Sequence, residues 1–270
     1  MSEVQKLNLA QALSLEGADG THVGQVRPEW AQGRAAFGGL VAGQLVRALE
    51  KLVPSERSLR SVLIDFAAPA VVGPVTIHTK VLREGRALTH AEARMQQGET
   101  VCAVLVATYG APRVSPVRVP GAPAPALVPP EQITRMPYVE GFLPRFSEHF
   151  DFRWGSSHFP FSGSDRGNIS GYVRHPSGGP VDAAGILALV DSWPPALLAL
   201  LKRPAPASTV SWMVDIVGPL PASGTESDAF YRYEADTVAA GDGYGSCEAR
   251  LWGPSGQLIA ASRQFVVEFS

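Results

Sequence analysis

Apolar and polar residues alternate through most of this chain in runs as long as β-strands, and the pattern becomes helical at two places. The first helical segment, FGGLVAGQLVRALEKLV, begins at Phe37 and ends before Pro54. The second, VDAAGILALVDSW, begins at Val181 with Asp182 as its predicted N-cap. The second segment is apolar nearly all the way round, which is typical of a helix buried inside a fold.

Strands are predicted on both sides of each helix. Before the first helix stands HVGQVRPEW from His22, and before the second stand RFSEHFDFRW from Arg145 and NISGYVRH from Asn168, which together resemble a hairpin. Three or four alternating strands follow each helix. The turn signals between them are Glu84-Gly85, Gln97-Gly98, Gly241 to Gly243 and Pro254 to Gly256. Each half is therefore predicted to be one helix packed on antiparallel strands.

The order of elements recurs because the sequence itself is repeated, about 150 residues further on. The segment SLRSVLIDFAAPAVVG around Asp65 corresponds to ASTVSWMVDIVGPLPASG around Asp215, and the triplet EAR at 92–94 returns at 248–250. Copies as large as small domains indicate two halves of one architecture rather than a solenoid. We expect the two halves to pair into one continuous sheet.

Residues 112–144 separate the two copies. This segment holds nine of the 23 prolines of the chain. Proline fixes φ and removes a backbone donor, so an extended connector is predicted here rather than a helix or a central strand. We divide the chain into an N-terminal repeat, residues 1–111, a connector, residues 112–144, and a C-terminal repeat, residues 145–270.

Composition narrows the possible functions. The chain has 270 residues, 45% hydrophobic and 18% charged, as expected of an ordinary globular protein with a sizeable core. A net charge of −2 gives no electrostatic reason to bind nucleic acid or an anionic membrane. Cys102 and Cys247 lie in apolar runs and indicate no disulfide framework. The N-terminus shows no signal-peptide pattern, so we expect a cytoplasmic protein with no nucleic-acid or membrane partner.

Asp191 is the residue that most suggests chemistry. It interrupts the apolar second helix, with no Lys or Arg within a turn on either side. A carboxylate there is costly to bury unless it finds donors or has a raised pKa, and both are typical of functional sites. The alternative is that Asp191 caps the helix end before Pro194 and Pro195. The sequence contains no serine-hydrolase elbow, phosphate-binding loop, C-x-x-C pair or H-E-x-x-H metal motif.

Several segments, taken together, resemble the double-hotdog acyl-CoA thioesterases. They are Phe37-Gly38-Gly39, LRSVLIDFAAP, LREGRALTHAEARMQQGE, SGYVR, LALVDSWPPALLALL and the strand containing Gln264. The resemblance covers nearly the whole chain outside the connector. It implies an α+β double hotdog, in which two fused hotdog repeats each wrap a curved antiparallel sheet around a central helix. It also implies a homo-oligomer that hydrolyses acyl-CoA to a carboxylic acid and CoA without metal or cofactor.

The resemblance further implies a catalytic set of Asp191, Thr209 and Gln264, which position one water molecule. In this scheme Asp191 is the base, Thr209 and Gln264 hold the water, and the backbone N–H of Gly38 or Gly39 stabilises the oxyanion. Simpler alternatives stay open: a β-forming Thr, a polar pair on an edge strand, and glycines that allow close helix packing.

The first half is predicted to lack this set, which leaves one active site per chain. Counting back through the repeat gives as counterparts Leu59 for Thr209, Val106 for Gln264, and Gly43 or Gln44 for Asp191. Two other functions stay open: a binder of acyl-CoA or lipid that performs no catalysis, and an acyltransferase. The sequence does not identify the acyl group.

Overall fold

The computed structural model describes residues 7–176 and 178–270. Its strands are, in chain order, β1 (Glu16–Ala18), β2 (Thr21–Val26), β3 (Ala31–Gln32), β4 (Ala35–Ala36), β5 (Ser58–Asp65), β6 (Gly73–Glu84), β7 (Leu88–Gln97), β8 (Thr100–Gly110), β9 (Asp151–Trp154), β10 (Asn168–Arg174), β11 (Gly179–Pro180), β12 (Ala207–Ile216), β13 (Glu226–Ser227), β14 (Tyr231–Gly241), β15 (Tyr244–Trp252) and β16 (Leu258–Glu268). Its α-helices are α1 (Leu9–Ala12), α2 (Gly38–Glu50) and α3 (Ala183–Asp191). Short 3-10 helices span Pro28–Trp30, Pro130–Gln132, Arg145–His149 and Ala196–Leu200.

Twelve of these strands form one antiparallel sheet, in the order β1-β2-β6-β7-β8-β5-β12-β16-β15-β14-β10-β9. The two halves meet where β5 pairs with β12, with Ser211 opposite Asp65 and Val214 opposite Val62. Hairpins at all four predicted turns connect the long strands on each side of this seam. The prediction of two repeats that share one continuous sheet, as in a double hotdog, is confirmed.

Helices α2 and α3 pack against each other through small residues. A Cβ added to Gly39 would lie 2.8 Å from the Cα of Ala188, and one added to Gly43 would lie 3.5 Å from the carbonyl oxygen of Ala184. The side chain of Asp182 caps α3 by accepting from the N–H of Gly185, as the sequence predicts. The two backbones can approach this closely because glycine has no side chain at the contact.

The apolar character of α3 reflects burial inside the fold. Every residue from Ala183 to Val190 is buried. The stretch from Ala183 to Leu200 is apolar and long enough to cross a membrane, but 78% of it is buried in the protein interior. This segment therefore serves as core between the sheet and α2.

The strand predicted from Arg145 is wrong in its first half. Residues Arg145–His149 form a 3-10 helix, and the strand itself is only Asp151–Trp154, which pairs with β10 as predicted. Pro144 precedes the turn, and its carbonyl accepts hydrogen bonds from both the hydroxyl and the N–H of Ser147. This local bonding competes with strand formation.

The connector runs along the C-terminal half of the sheet. Its carbonyl at Ala122 accepts a hydrogen bond of 2.8 Å from the indole of Trp252, and its N–H at Met136 donates to the carbonyl of Phe152. Apart from an isolated bridge between Arg135 and Arg153, the 3-10 helix at Pro130–Gln132 and a turn at residues 140–142, its described residues form no helix or strand. The connector is thus extended, as its prolines predict.

Candidate active site

Asp191 is the last residue of α3, and its carboxylate lies against the first turn of α2. A Cβ added to Gly38 would lie 2.7 Å from Oδ2 of Asp191, closer than real Cβ contacts allow. The carboxylate can therefore reach this position only because residue 38 has no side chain. The N-terminus of a helix carries a partial positive charge, so α2 favours an anion here.

Gln264 of β16 fixes the orientation of the carboxylate. Its Nε2 donates a hydrogen bond of 2.8 Å to Oδ1 of Asp191. Within the sheet, Gln264 lies between Trp212 on β12 and Cys247 on β15, and its side chain is 8% exposed. The glutamine therefore does not form a polar pair on an edge strand: it is a buried residue in the middle of the sheet.

The environment of Asp191 raises its pKa from 3.8 to about 7. The main cause is burial, which penalises the charged form. The N–H of Gly39 and the amide of Gln264 act in the opposite direction and lower the pKa. Among the described residues no Lys, Arg or His forms an ion pair with Asp191, and the carboxylate sits at the unfavourable C-terminal end of its own helix. A carboxyl group with a pKa near neutrality can take up and release a proton at physiological pH.

Thr209 lies on the neighbouring strand, next to a β-bulge. It pairs with Val266, two residues beyond Gln264, and the register of β12 shifts between Thr209 and Ser211. Residues that pair across antiparallel strands point to the same face, so Thr209 shares the inner face with the buried Val266 and with Gln264. In the described part of the chain its hydroxyl makes no direct hydrogen bond to Asp191.

The two glycines predicted for the oxyanion have different surroundings. The N–H of Gly39 is close enough to the Asp191 carboxylate to lower its pKa. The first N–H groups of a helix have no partner within that helix, and Phe37, the N-cap of α2, offers no side-chain cap. The N–H of Gly38, by contrast, donates to no acceptor among the described residues.

Three aromatic residues lie near Asp191, and of these the sequence points only to Trp193, as a wall of the acyl pocket or as core. Phe66 contacts Gly38, since its Cζ would lie 3.4 Å from an added Cβ. Trp193 stacks on Tyr233 with ring centroids 5.1 Å apart. The pKa of Tyr233 is raised, mainly by burial and then by electrostatic repulsion from Cys247 and Asp191. The contribution of Asp191 indicates that this phenol lies near the carboxylate. In the sequence, only Trp193 can be placed near the carboxylate, because it follows Asp191 by two residues.

The structure corrects two of the counterparts assigned from the repeat. Matching bulges, between 59 and 61 on β5 and between 209 and 211 on β12, align Leu59 with Thr209 as predicted. The same register places Ala107, and not Val106, at the position of Gln264, because Val62 pairs with Ala107 as Trp212 pairs with Gln264.

The counterpart of Asp191 also changes. Aligning α2 and α3 from their N-caps, Phe37 and Asp182, places Val46 at the position of Asp191, instead of Gly43 or Gln44. Each of the three counterparts, Val46, Leu59 and Ala107, is an apolar residue with an exposure of 2% or less. The first half therefore offers no second copy of the polar set.

The described residues contain no cluster of three or more His, Cys, Asp or Glu side chains that could hold a metal ion. A depression of about 620 Å³ lies at the seam between the halves, lined by Leu63, Asp65, Met213, Arg263 and Phe265. These side chains alternate with the buried inner-face residues, so the depression is on the opposite face of the sheet from Asp191.

Comparison with protein families matches both halves of the chain. Residues 26–110 match the model of the acyl-CoA thioesterase N-terminal domain, and residues 130–267 match that of the acyl-CoA thioesterase C-terminal domain. A comparison with curated proteins found no sequence match.

Two solved structures illustrate the likeness in fold. One is a conserved protein of unknown function with a hot dog fold from Alicyclobacillus acidocaldarius, with a TM-score of 0.86, 24% identity, and coverage of 97% of this chain and 98% of the other. The second is an acyl-CoA thioesterase II from Mycobacterium marinum, with a TM-score of 0.78, 18% identity, and coverage of 97% and 98%. At these identities the likeness establishes the fold.

Proposed function

The chain belongs to the acyl-CoA thioesterase family, and from this premise we propose that it hydrolyses acyl-CoA to a carboxylic acid and CoA, with Asp191 as the general base. The observation that carries the proposal is the carboxylate of Asp191, which Gln264 holds against the N-terminus of α2. It has no ion-pair partner among the described residues, and its pKa is raised to about 7. A thioester carbonyl is electrophilic, so a positioned water, a base and an oxyanion donor suffice.

The reaction begins with a water molecule bound beside Asp191. The Nε2–H of Gln264 donates a hydrogen bond to the carboxylate. The Oε1 of the same glutamine can then accept a hydrogen bond from the water. Thr209, on the same inner face, is the second candidate to orient this water. Asp191 takes the proton as the water oxygen attacks the carbonyl carbon and forms a tetrahedral oxyanion.

The N–H of Gly38 and the dipole of α2 stabilise the oxyanion as it forms. Collapse of the intermediate breaks the carbon–sulfur bond, and the proton held by Asp191 passes to the CoA thiolate. The atoms balance without a metal, a cofactor or a covalent enzyme intermediate. The base returns to its charged form, ready for the next water.

A binder that does not catalyse the reaction would have little use for this arrangement. An acyl-CoA pocket needs apolar surface, whereas a buried carboxylate without an ion pair carries a cost to folding. The first half shows the alternative, because the counterpart positions there are filled by Val46, Leu59 and Ala107. The presence of Asp191, Thr209 and Gln264 in the second half therefore favours catalysis over binding alone.

The test is a thiol-release assay on purified protein with acyl-CoAs from acetyl to palmitoyl, plus benzoyl and phenylacetyl. The proposal expects stoichiometric release of thiol and acid from at least one of them. Binding of acyl-CoA without thiol release over the whole panel would support the non-catalytic binder instead. Release only when an alcohol or amine acceptor is added, with an ester or amide as product, would indicate an acyltransferase.

We further propose that the protein acts in the cytoplasm and self-associates through the outer face at the seam. Leu63, Met213 and Phe265 are 55%, 39% and 43% exposed there, and exposed apolar patches mark association sites. Asp65 and Arg263 border the same depression, so the surface carries both charges needed to complement a second copy across a two-fold axis.

Light scattering measures this association directly. The wild type is expected to have the mass of a dimer or a higher oligomer, and Leu63→Glu is expected to be smaller. Val238→Glu, at a position 54% exposed, is the matched control and should keep the wild-type mass. A monomeric wild type, or a Leu63→Glu variant with unchanged mass, would exclude this interface.

A further inference from the structure

Phe66 is the residue where three parts of the site meet. Its Cζ would lie 3.4 Å from a Cβ on Gly38, and Oδ2 of Asp191 would lie 2.7 Å from the same point. Its backbone N–H donates a hydrogen bond of 2.9 Å to the carbonyl of Val210, the bulge residue that follows Thr209. The ring thus adjoins the start of α2 beside the carboxylate, while the backbone of Phe66 is bonded to the bulge of β12.

The ring is also accessible. Phe66 packs against the core but is only partly buried, whereas its counterpart in the second half, Ile216, is 5% exposed. Asp191 is partly exposed as well. Since both groups lie within 3.4 Å of the position that a Cβ on Gly38 would take, the ring and the carboxylate border the same space beside the start of α2.

The reaction geometry determines which part of a substrate enters this space. A general base lies about 2.6–3.2 Å from the water it deprotonates. The water in turn lies about 3–3.5 Å from the carbon it attacks. Because Oδ2 of Asp191 and Cζ of Phe66 lie 2.7 Å and 3.4 Å from one point beside Gly38, they are at most about 6 Å apart. The reacting carbonyl carbon lies within the same range of the carboxylate. The next group along the acyl chain is its α-carbon.

We infer that Phe66 is a specificity-determining residue, whose ring walls the space at the α-carbon of the acyl group and favours unbranched over α-branched acyl-CoAs. The inference rests on the proposed hydrolysis at Asp191. It goes beyond that proposal by specifying the shape of acyl group that the site accepts. A single methyl group at such a wall changes kcat/KM about 10–200-fold.

The experiment compares butyryl-CoA with 2-methylbutyryl-CoA in the wild type, Phe66→Leu and Phe66→Ala. The wild type is expected to prefer butyryl-CoA by at least about tenfold in kcat/KM. Phe66→Ala should lower that preference about tenfold or more, and Phe66→Leu should give an intermediate value. Phe142→Ala, at a position 75% exposed in the connector, is the matched control and should keep the wild-type ratio.

The outcomes separate the two proposals. A wild type that hydrolyses both substrates, with the same ratio in the wild type and in a folded Phe66→Ala variant, overturns the role of Phe66 and leaves the hydrolase intact. A wild type that releases no thiol from any acyl-CoA overturns the hydrolase and this inference with it. Phe66→Leu keeps an apolar side chain of similar volume. If Phe66→Ala does not fold, the ratio of kcat/KM values for the two substrates in Phe66→Leu decides whether Phe66 has this role.

Discussion

Replacement of Asp191 by Asn should make the protein more stable and nearly inactive at the same time. In the folded protein the pKa of this carboxyl is raised from 3.8 to about 7, so the charged form is costly to keep in its site. Each pKa unit corresponds to about 1.4 kcal/mol, and partial exposure of the side chain reduces the total. The expected gain in unfolding free energy is about 2–4 kcal/mol at pH 8.

The pH dependence gives the sign of this effect. Between pH 3.8 and about 7 the folded protein holds a proton on Asp191 that the unfolded chain has lost. Stability of the wild type therefore falls as the pH rises through this window, relative to a variant without the carboxyl. The gap between Asp191→Asn and wild type should be small near pH 4, widen up to pH 7, and stay constant above it.

Urea unfolding at pH 4.5 and pH 8 measures the gap, and thiol release measures the activity. Loss of the general base should lower kcat by about 10²–10⁴-fold. Asp242→Asn is the control, because Asp242 is exposed in the turn between β14 and β15, where asparagine tolerates the positive φ, and it should change neither quantity much. A stability gap that is equal at both pH values, or a variant with wild-type kcat, would refute the assignment of Asp191.

Three further results are expected. Because the amide of Gln264 lowers the pKa of the candidate base, Gln264→Leu should shift the rise of kcat/KM with pH from about 7 to a higher value, as a pH–rate profile would show. Gly38→Ala should abolish most activity while the circular dichroism is retained, since the new methyl would displace the carboxylate; Gly241→Ala, in open space, should be silent. Arg47→Met should lower the free energy of unfolding in urea by about 3–5 kcal/mol, because it leaves the buried carboxylate of Asp182 without its cationic partner. A loss below about 1 kcal/mol would contradict this expectation.

Most of the architecture could be predicted because the signals are local and occur twice. The 3.6-residue and 2-residue periods identified α2, α3 and the long strands, and glycine-rich turns identified the hairpins. The repeat then supplied the long-range information, since two equivalent half-sheets have a natural seam at equivalent strands. The pairing of β5 with β12 follows that logic.

The exact partners within the site could not be predicted, because they depend on details that the repeat does not record. The hairpin between β15 and β16 is one residue longer than the hairpin between β7 and β8, because Leu251 pairs with Ala260 whereas Met95 pairs with Ala103. A shift of one residue moves a side chain to the other face, and this is why Ala107 rather than Val106 matches Gln264. The contact between Phe66 and Gly38 joins a strand end to a helix start, and no periodicity reports such a pair.

The two ends of the helix pair differ in a way that accounts for a single proposed site in each chain. At one end, Asp182 caps α3 and is only 1% exposed. Its carboxylate is 2.6 Å from the guanidinium of Arg47. A carboxylate at a helix N-terminus with an arginine partner is stabilised in its charged form and serves the fold. At the other end, Asp191 lies at a helix C-terminus and has no cationic partner in the part of the chain that the structure describes, so its charge is costly and its pKa is raised to about 7. We interpret the divergence of the repeats as this division: one end of the pair became an ion-paired clamp, and the other kept the reactive carboxylate.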